Sequence, residues 1–279
     1  MSQPSALVTG LGLMGGSLAA ALTAAGWRVL LHHRRQEVAS EAEQRGWGQA
    51  VSDPAQALSE CDLAIVCTPV GAIAATVRLL AQTRSGAVIT DVGSTKGGIC
   101  AELADLARAG RFVGSHPMCG SHLQGLGHAR ADLYRGALTL ITPDPQAPAT
   151  AIAVVERLWQ AVGSRVLRMD PHEHDHAVVA ASHLPHLLAS TAAALLDATS
   201  APLCAGGFRD TTRVAAGSAQ LWSEILLANR NAVLDRLNSA IAHLQTVQAT
   251  LRQGDQPSLI AWLEAGRAGR QRFERAAEA

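Results

Sequence analysis

Residues 6–15 read Ala-Leu-Val-Thr-Gly-Leu-Gly-Leu-Met-Gly, and this stretch decides the fold. Residues 6–9 are an apolar strand pattern, and the alanine-rich residues 16–25 that follow the glycines are a helix pattern. Gly10 permits a tight turn, Gly12 lets backbone approach a pyrophosphate, and Gly15 lets the helix pack closely on the strand. A G-x-G-x-x-G between strand and helix predicts a dinucleotide site, with the phosphates at the helix N-terminus.

Further segments of the first half complete the predicted cofactor site. We expect Leu13 and Met14 of the turn to contact the cofactor, as well as Thr68 and Pro69, which follow the predicted strand 63–67. The second strand, 28–32, runs into a basic stretch where an NAD site usually carries an acid that binds the ribose. The residues of that stretch are His33, Arg34 and Arg35. Because guanidinium groups bind phosphate in a bidentate way, we expect NADP as the preferred cofactor, with NAD as the alternative. The competing interpretation of the two arginines is ordinary solvated loop charge.

Alternating strand and helix patterns predict the architecture. Further strands are expected at residues 87–91, 111–114, 138–142 and 165–169, with a helix at 152–162. This pattern predicts an α/β Rossmann-like N-terminal domain with a mostly parallel sheet and helices on both faces, over residues 1–168. Residues 169–279 have helix patterns alone and form an expected all-α C-terminal dimerisation domain.

Two long helices are predicted in this second half. The first spans 173–197 and contains Pro185, which predicts a kink. The second begins at a Ser218 cap, runs to about residue 252 and repeats apolar residues every three or four positions. Such a helix is about 50 Å long, so we expect it to lie against a second subunit in a homodimer rather than only in a monomeric bundle.

Composition excludes several classes of protein. Lys and Arg total 23, as do Asp and Glu, so neither a nucleic acid nor an anionic membrane is an expected partner. No apolar run has the roughly 18 residues that indicate a membrane span, and no basic segment of a signal peptide begins the chain. The five cysteines form no C-x-x-C pair. We expect a cytoplasmic protein.

Four polar motifs lie outside the glycine-rich turn, and they carry a resemblance. They read DVGSTK (91–96), GSHPMCG (114–120), SHLPH (182–186) and GFRDTTRVA (207–215). The first two follow predicted strands, at the sheet edge where ligands of open α/β folds bind. In this order, after an N-terminal GxGxxG, they resemble the prephenate/arogenate dehydrogenase family over nearly the whole chain. Family members carry out the last oxidative step toward tyrosine.

The resemblance implies roles for individual residues. His116 resembles the catalytic histidine that receives the proton of the ring hydroxyl, and Ser94 the serine that hydrogen-bonds that hydroxyl. Arg213 resembles the arginine that binds substrate carboxylate through its guanidinium fork, although an ion pair with Asp210 is a competing role. The SHLPH segment lines the substrate pocket in the family, which implicates Ser182, His183 and His186. Lys96 and Arg209 are weaker candidates, and Trp222 fits core or interface better than a substrate contact.

Alternatives remain open at this stage. Arogenate as substrate would give tyrosine, whereas prephenate would give 4-hydroxyphenylpyruvate. His122 stands where an acid would favour the ammonium group of arogenate, while His186 suits a keto oxygen; the NADP-like strand end favours arogenate. A non-catalytic NADP-sensing dimer would have no use for His116, Ser94 and Arg213 together, and a β-hydroxyacid dehydrogenase would need a catalytic lysine. Residues 172–176, HEHDH, contain metal-ligand types but lack the H-E-x-x-H spacing, so no metal is expected.

Overall fold

A five-stranded parallel sheet forms the centre of the first part of the chain. The computed structural model describes residues 3–83, 85–121 and 123–278; His122 therefore lies outside the described residues. The strand order is β3-β2-β1-β4-β5, as in a Rossmann-like domain. The strands are β1 (Ser5–Thr9), β2 (Arg28–His32), β3 (Gln49–Ala50), β4 (Leu63–Val66) and β5 (Val88–Asp91). The two-residue β3 gives too short an apolar pattern to be predicted.

Helices cover both faces of this sheet, because its strands are apolar on both sides. Leu18 and Leu22 of α1 pack with Trp159 of α7 in one core, and Ile73 and Val77 of α4 pack in the other. The seven helices are α1 (Leu13–Ala24), α2 (Gln36–Gln44), α3 (Pro54–Leu58), α4 (Val70–Ala81), α5 (Gly97–Glu102), α6 (Ala104–Arg108) and α7 (Ala149–Ala161).

A second, three-stranded sheet corrects one prediction. Its strands are β6 (Gly114–Pro117), β7 (Leu138–Thr142) and β8 (Arg165–Arg168), with β6 antiparallel to β7 and β7 parallel to β8. The strand predicted at 111–114 is wrong in its bounds: Phe112 makes only an isolated parallel bridge with Ile89, and the strand proper begins at Gly114. The apolar pattern did not predict this strand because Ser115 and His116 are polar. Their hydrogen-bond partners come from other elements of the fold.

The helical part begins with one helical stretch that changes its winding. Helix α8 (Pro171–Val178) continues through a π-helical turn, Val179–His183, into α9 (Leu184–Ala194). Pro185 lies in the first turn of α9, so the missing N–H and the ring of proline are accommodated by the wider turn before it. Helix α10 (Gly206–Thr212) and a 3-10 turn, Arg213–Ala216, follow.

The single long helix predicted from Ser218 is wrong. Ser218 does cap a helix, since its hydroxyl accepts a hydrogen bond from Leu221 N, but this helix, α11 (Ala219–Ala228), ends at Asn229. Helix α12 (Arg230–Gln253) then begins, followed by α13 (Gln256–Glu278). The Asn229 side chain is buried and donates to the Asp175 carbonyl, so a tertiary contact ends the helix where periodicity alone predicted continuation.

By its internal packing the chain forms two compact units, residues 1–230 and residues 231–279. The first contains both sheets and helices α1–α11, and the second contains most of α12 and all of α13. The expected domain boundary near residue 168 lies inside the first unit.

The continuous stretch Pro171–Ala194 has the length and composition of a membrane-crossing helix, although no such run was predicted. A core helix meets the same test, and His174, Asp175 and His183 lie buried along this one with hydrogen-bond partners. Buried polar groups with protein partners indicate a helix packed on protein.

Candidate active site

The glycine-rich turn has the geometry that its glycines predict. Gly10 has a φ of +93°, its N–H donates to the His32 carbonyl at 3.0 Å, and a Cβ there would lie 2.6 Å from the Cys67 carbonyl oxygen. A Cβ on Gly15 would overlap the Gly10 carbonyl oxygen. Gly12 differs, because a Cβ there would meet nothing within 4 Å. The backbone at Gly12 therefore faces open space beside the first turn of α1.

Two observations show that this turn fits a dinucleotide. No side chain caps the N-terminus of α1, which leaves the N–H groups around Leu13 and Met14 available to an anion. The Thr68 hydroxyl, just beyond β4, is buried and has no hydrogen-bond partner among the described residues. Pro69 then caps α4. A buried orphan hydroxyl beside an open glycine turn is the feature that a bound ligand would satisfy.

The end of β2 carries the predicted basic stretch. The Arg35 N–H donates to His33 Nδ1 at 3.1 Å, which orders the turn before α2. Burial lowers the pKa values of both His32 and His33. The Arg34 and Arg35 side chains are exposed and make no ion pair within the described part of the chain. They are thus free cations at the edge of the predicted cofactor site.

A buried ion pair lies at the carboxyl end of β5. The Lys96 ammonium contacts the Asp91 carboxylate, and both side chains are fully buried. The same carboxylate accepts hydrogen bonds from Gly93 N at 2.8 Å and Ser115 N at 3.1 Å. Asp91 therefore joins the loop after β5 to β6, and it fixes the residue next to His116.

We expected His116 in a loop after the preceding strand, but it lies within β6. Its side chain is buried, and its Nδ1 lies 2.8 Å from His174 Nε2. Burial first, and then the neighbouring His174, Lys96 and His183, hold the pKa of His116 well below its ordinary value of 6.5. The imidazole is therefore neutral at pH 7 and able to accept a proton.

His174 connects His116 to a carboxylate. His174 Nδ1 lies 2.8 Å from Asp175 Oδ1, and Asp175 accepts hydrogen bonds from Lys96 N at 2.7 Å and Gly97 N at 2.8 Å. Burial acts to raise the pKa of Asp175, but the bonds from His174 and the two backbone N–H groups outweigh it, and the net pKa is lowered. A Cβ on Gly97 would lie 2.9 Å from the carboxylate, so glycine is what lets α5 approach α8.

The histidines of the SHLPH segment meet one indole. The His186 ring stacks on Trp222 with centroids 3.6 Å apart, and the His183 ring meets Trp222 edge-on at 6.2 Å. His183 Nδ1 also lies 3.4 Å from Asn229 Nδ2. Burial lowers the pKa of His183 to about 4 and also lowers the pKa of His186. His186 Nδ1 is buried with no partner in the described residues.

Three predicted residues stand apart from this network. Ser94 is half-buried in the loop after β5, and its hydroxyl makes no hydrogen bond to the described residues. Ser94 is not the cap of α5: Lys96 holds the N-cap position, and the Asp175 carboxylate accepts from Lys96 N and Gly97 N. Ser182 is half-buried in the π-helical turn. Arg213 is exposed, and the expected competing pair with Asp210 does not form, because Asp210 lies beside Arg209 at 3.7 Å.

Sequence reasoning missed His174, Asp175 and Asn229, and it ranked Lys96 low. His174 and Asp175 were seen only as possible metal ligands within HEHDH, yet the structure directs His174 to another imidazole. The available signal was the adjacent histidine and aspartate at the first turn of a helix that otherwise carries apolar residues. Their partners lie 58 and 79 residues away along the chain.

Comparisons with known proteins identify the family of this chain. The prephenate dehydrogenase nucleotide-binding domain matches residues 18–168, and the prephenate dehydrogenase dimerization domain matches residues 170–265. The cyclohexadienyl dehydrogenase of Zymomonas mobilis is 33% identical over 264 residues, covering 91% of this chain and 90% of that protein.

Solved structures are similar along their whole length. Prephenate dehydrogenase of Aquifex aeolicus, in complex with hydroxyphenyl propionate and NAD+, has a TM-score of 0.88 and 26% identity, covering 98% of this chain and 99% of that chain. Arogenate dehydrogenase of Synechocystis has a TM-score of 0.83 and 28% identity, covering 96% and 99%. Fold, glycine-rich turn and matches together define an NAD(P)-dependent dehydrogenase. The chain belongs to the prephenate dehydrogenase family.

Proposed function

We propose that this protein oxidises arogenate with loss of CO2 to give tyrosine, and that NADP accepts the hydride. The observation that carries the proposal is the buried His116 on β6, a strand that lies beside the carboxyl end of β5, at the edge of the five-stranded sheet that also bears the glycine-rich turn. Thr9, Val66 and Asp91 are in register across β1, β4 and β5, and Asp91 binds the backbone of Ser115. Since neighbouring strands are about 4.8 Å apart, the turn and the Asp91 end of the sheet are separated by about 10 Å.

The chain's own residues divide the chemistry among them. A bound nicotinamide supplies the hydride acceptor. His116 takes the proton of the ring hydroxyl, and Ser94, whose hydroxyl is uncommitted, hydrogen-bonds the same oxygen. The exposed Arg213 binds a substrate carboxylate, and Ser182, His183 and His186 line the pocket. When CO2 leaves, its bonding electron pair stays in the ring, which becomes aromatic.

The preference for NADP rests on Arg34 and Arg35. Both guanidinium groups are exposed, without an ion pair in the described residues, at the end of β2 where a 2′-phosphate would lie. Both guanidinium groups could bind a phosphate there through charge-assisted, bidentate hydrogen bonds. NAD is the alternative cofactor.

Prephenate is the second candidate substrate, and one observation favours it. The buried Nδ1 of His186 has no partner in the described residues and could donate to the keto oxygen of prephenate. The same histidine is compatible with arogenate, because burial lowers its pKa and a neutral ring does not repel an ammonium group. The relatives carry the names of prephenate, arogenate and cyclohexadienyl dehydrogenases.

We further propose two functional domains, 1–168 and 169–279, in a cytoplasmic homodimer formed through the C-terminal helices. The position of the dimerization-domain match supports this division. Large apolar side chains exposed along α12 and α13 also support the dimer; they are Leu234, Ile241, Leu244, Leu251, Ile260, Leu263 and Phe273. Light scattering at micromolar concentration should give twice the 29.0 kDa chain mass, and a monomer alone would contradict the proposal.

The test of function is a four-way steady-state assay. Purified protein is given arogenate or prephenate, each with NADP or NAD, and the aromatic product is identified by chromatography. We expect the highest kcat/KM for arogenate with NADP, and Arg34→Ala should erode the preference for NADP. Turnover of neither substrate would reject the function, and a preference for NAD above about tenfold would reject the cofactor assignment.

A further inference from the structure

The hydrogen bonds around His116 form one continuous chain that starts at a carboxylate. Asp175 contacts His174 Nδ1, and His174 Nε2 contacts His116 Nδ1, both at 2.8 Å. All three side chains are buried, with His174 fully so. Both ring nitrogens of His174 are therefore used, and Nε2 of His116 is the one ring nitrogen of the two histidines that has no partner among the described residues.

The ionisation of Asp175 decides where the protons lie. An ionised carboxylate can only accept hydrogen bonds, so the proton between Asp175 and His174 belongs to His174 Nδ1. Lys96 N and Gly97 N donate to the same carboxylate and hold it in its ionised form. With a single ring proton, on Nδ1, His174 offers a lone pair at Nε2, and His116 then carries its own proton on Nδ1. The lone pair of His116 is left on Nε2, the only nitrogen able to serve a substrate.

We propose that His174 and Asp175 are positioning residues that fix His116 in the tautomer in which Nε2 is the proton acceptor. This inference rests on the proposed function in one respect, namely that His116 receives the substrate's hydroxyl proton. As that proton arrives at His116 Nε2, the Nδ1 proton shifts toward His174 Nε2. The resulting positive charge is shared by two imidazoles and stabilised by the Asp175 carboxylate, which remains ionised throughout.

Several other charged and titratable groups face this relay. Asp91, the last residue of β5, and its partner Lys96, from the loop after β5, have charges that offset each other. From the π-helical turn comes His183, which Asn229 contacts. His172 is exposed, and its Nδ1 would lie 3.4 Å from a Cβ on Gly97. Lys96 and His183 both lower the pKa of His116, so neither supplies the orienting acceptor that Asp175 does.

The deciding variant is Asp175→Asn, which keeps the shape but replaces one acceptor by an N–H donor. The neutral amide no longer fixes the proton on His174 Nδ1, and in the other tautomer His174 Nε2–H donates to His116 Nδ1 and leaves the proton on His116 Nε2. We expect kcat at pH 7 to fall by at least about a hundredfold, as when the orienting carboxylate of a catalytic triad is replaced. Substrate KM and the cofactor dissociation constant should each change less than about threefold.

A matched control lies on the same helix. Asp170 caps α8 by accepting from His172 N and Glu173 N, and it touches no member of the relay. Asp170→Asn should keep the wild-type kcat and pH profile, because asparagine caps helices as well as aspartate does. A loss of activity in both variants together, with lowered stability, would show that the helix end and not the relay matters, and would overturn the proposal.

A second measurement does not depend on activity or on the variant folding. Side-chain 15N spectra of histidine-labelled wild-type protein distinguish protonated from unprotonated ring nitrogens, and His116→Gln assigns the signals. We expect His116 with a proton on Nδ1 and none on Nε2 at pH 7. A proton on Nε2, or wild-type kcat and pH profile in Asp175→Asn, would overturn the proposal. Failure of the wild type to turn over either substrate would reject the proposed function but leave the tautomer result standing.

Discussion

Removal of the buried Lys96 charge is the most informative single perturbation of stability. Lys96 and Asp91 are both fully buried and contact each other, so Lys96→Met leaves an uncompensated carboxylate inside the first unit. Breaking such a pair costs about 3–5 kcal/mol. Asp91 keeps two backbone donors, Gly93 N and Ser115 N, which places Lys96→Met near the lower end, at about 3 kcal/mol.

Asp91→Leu is expected to be the more damaging of the two variants. It leaves the buried Lys96 ammonium without a counter-ion and removes the acceptor for both backbone N–H groups. The free energy of unfolding should therefore fall by about 5 kcal/mol. For a domain of this size the two losses correspond to Tm decreases of roughly 6–12 °C and roughly 10–20 °C. Denaturant titration followed by circular dichroism, with thermal melts as a second probe, measures both.

The control is an exposed pair in the same region. Arg78 and Asp105 lie 3.0 Å apart, with 44% and 62% of their side chains exposed. Arg78→Met should leave the unfolding midpoint within experimental error, because solvent screens exposed pairs. The reasoning is refuted if Lys96→Met matches this control, or if it destabilises the protein more than Asp91→Leu does.

Three further predictions concern the cofactor turn and the pocket. Gly15→Ala should raise the cofactor dissociation constant at least about tenfold, because its Cβ would overlap the Gly10 carbonyl oxygen. The control is Gly266→Ala, since a Cβ at Gly266 meets nothing within 4 Å. Equal cofactor affinities of the two variants would contradict the prediction. Thr68→Val removes a buried hydroxyl that has no hydrogen-bond partner among the described residues. It should therefore stabilise the cofactor-free protein by about 1 kcal/mol yet weaken cofactor binding measured by calorimetry. An unchanged cofactor affinity would exclude that hydroxyl from the site. The pKa of His183, lowered by burial to about 4, predicts that the free energy of unfolding falls as pH decreases from about 6.5 to about 4, because the unfolded chain binds the proton first. The loss from this residue is at most about 3 kcal/mol, and His183→Asn should reduce the slope; an identical slope would contradict the assignment.

Much of the nucleotide-binding half is predictable from local sequence. Gly10, Gly12 and Gly15 act through backbone geometry within a single turn, so their spacing alone carries the information. The parallel sheet follows for a similar reason, because apolar strands alternate with helix patterns. The strand at Gly114–Pro117 was not predicted in full because Ser115 and His116 are polar. Their burial is made favourable by contacts with Thr90, Asp91 and His174.

Long-range contacts set the limit of prediction in the helical half. Periodicity continues through Asn229, but the helix ends there because the Asn229 side chain donates to the Asp175 carbonyl, 54 residues away. His174 and Asp175 were considered only as possible metal ligands within HEHDH, whereas the fold brings the N–H groups of Lys96 and Gly97 onto the Asp175 carboxylate. Which polar residues share a site depends on tertiary pairing, and local pattern does not contain it.

The central claim is that His116 accepts the proton that the substrate's hydroxyl loses. His116→Ala measured beside the wild type, by steady-state turnover together with calorimetric binding of the cofactor, tests it most directly. We expect His116→Ala to have a kcat lower by about 10²–10⁴-fold with an unchanged cofactor dissociation constant. Turnover close to that of the wild type, with the cofactor still bound normally, would contradict it.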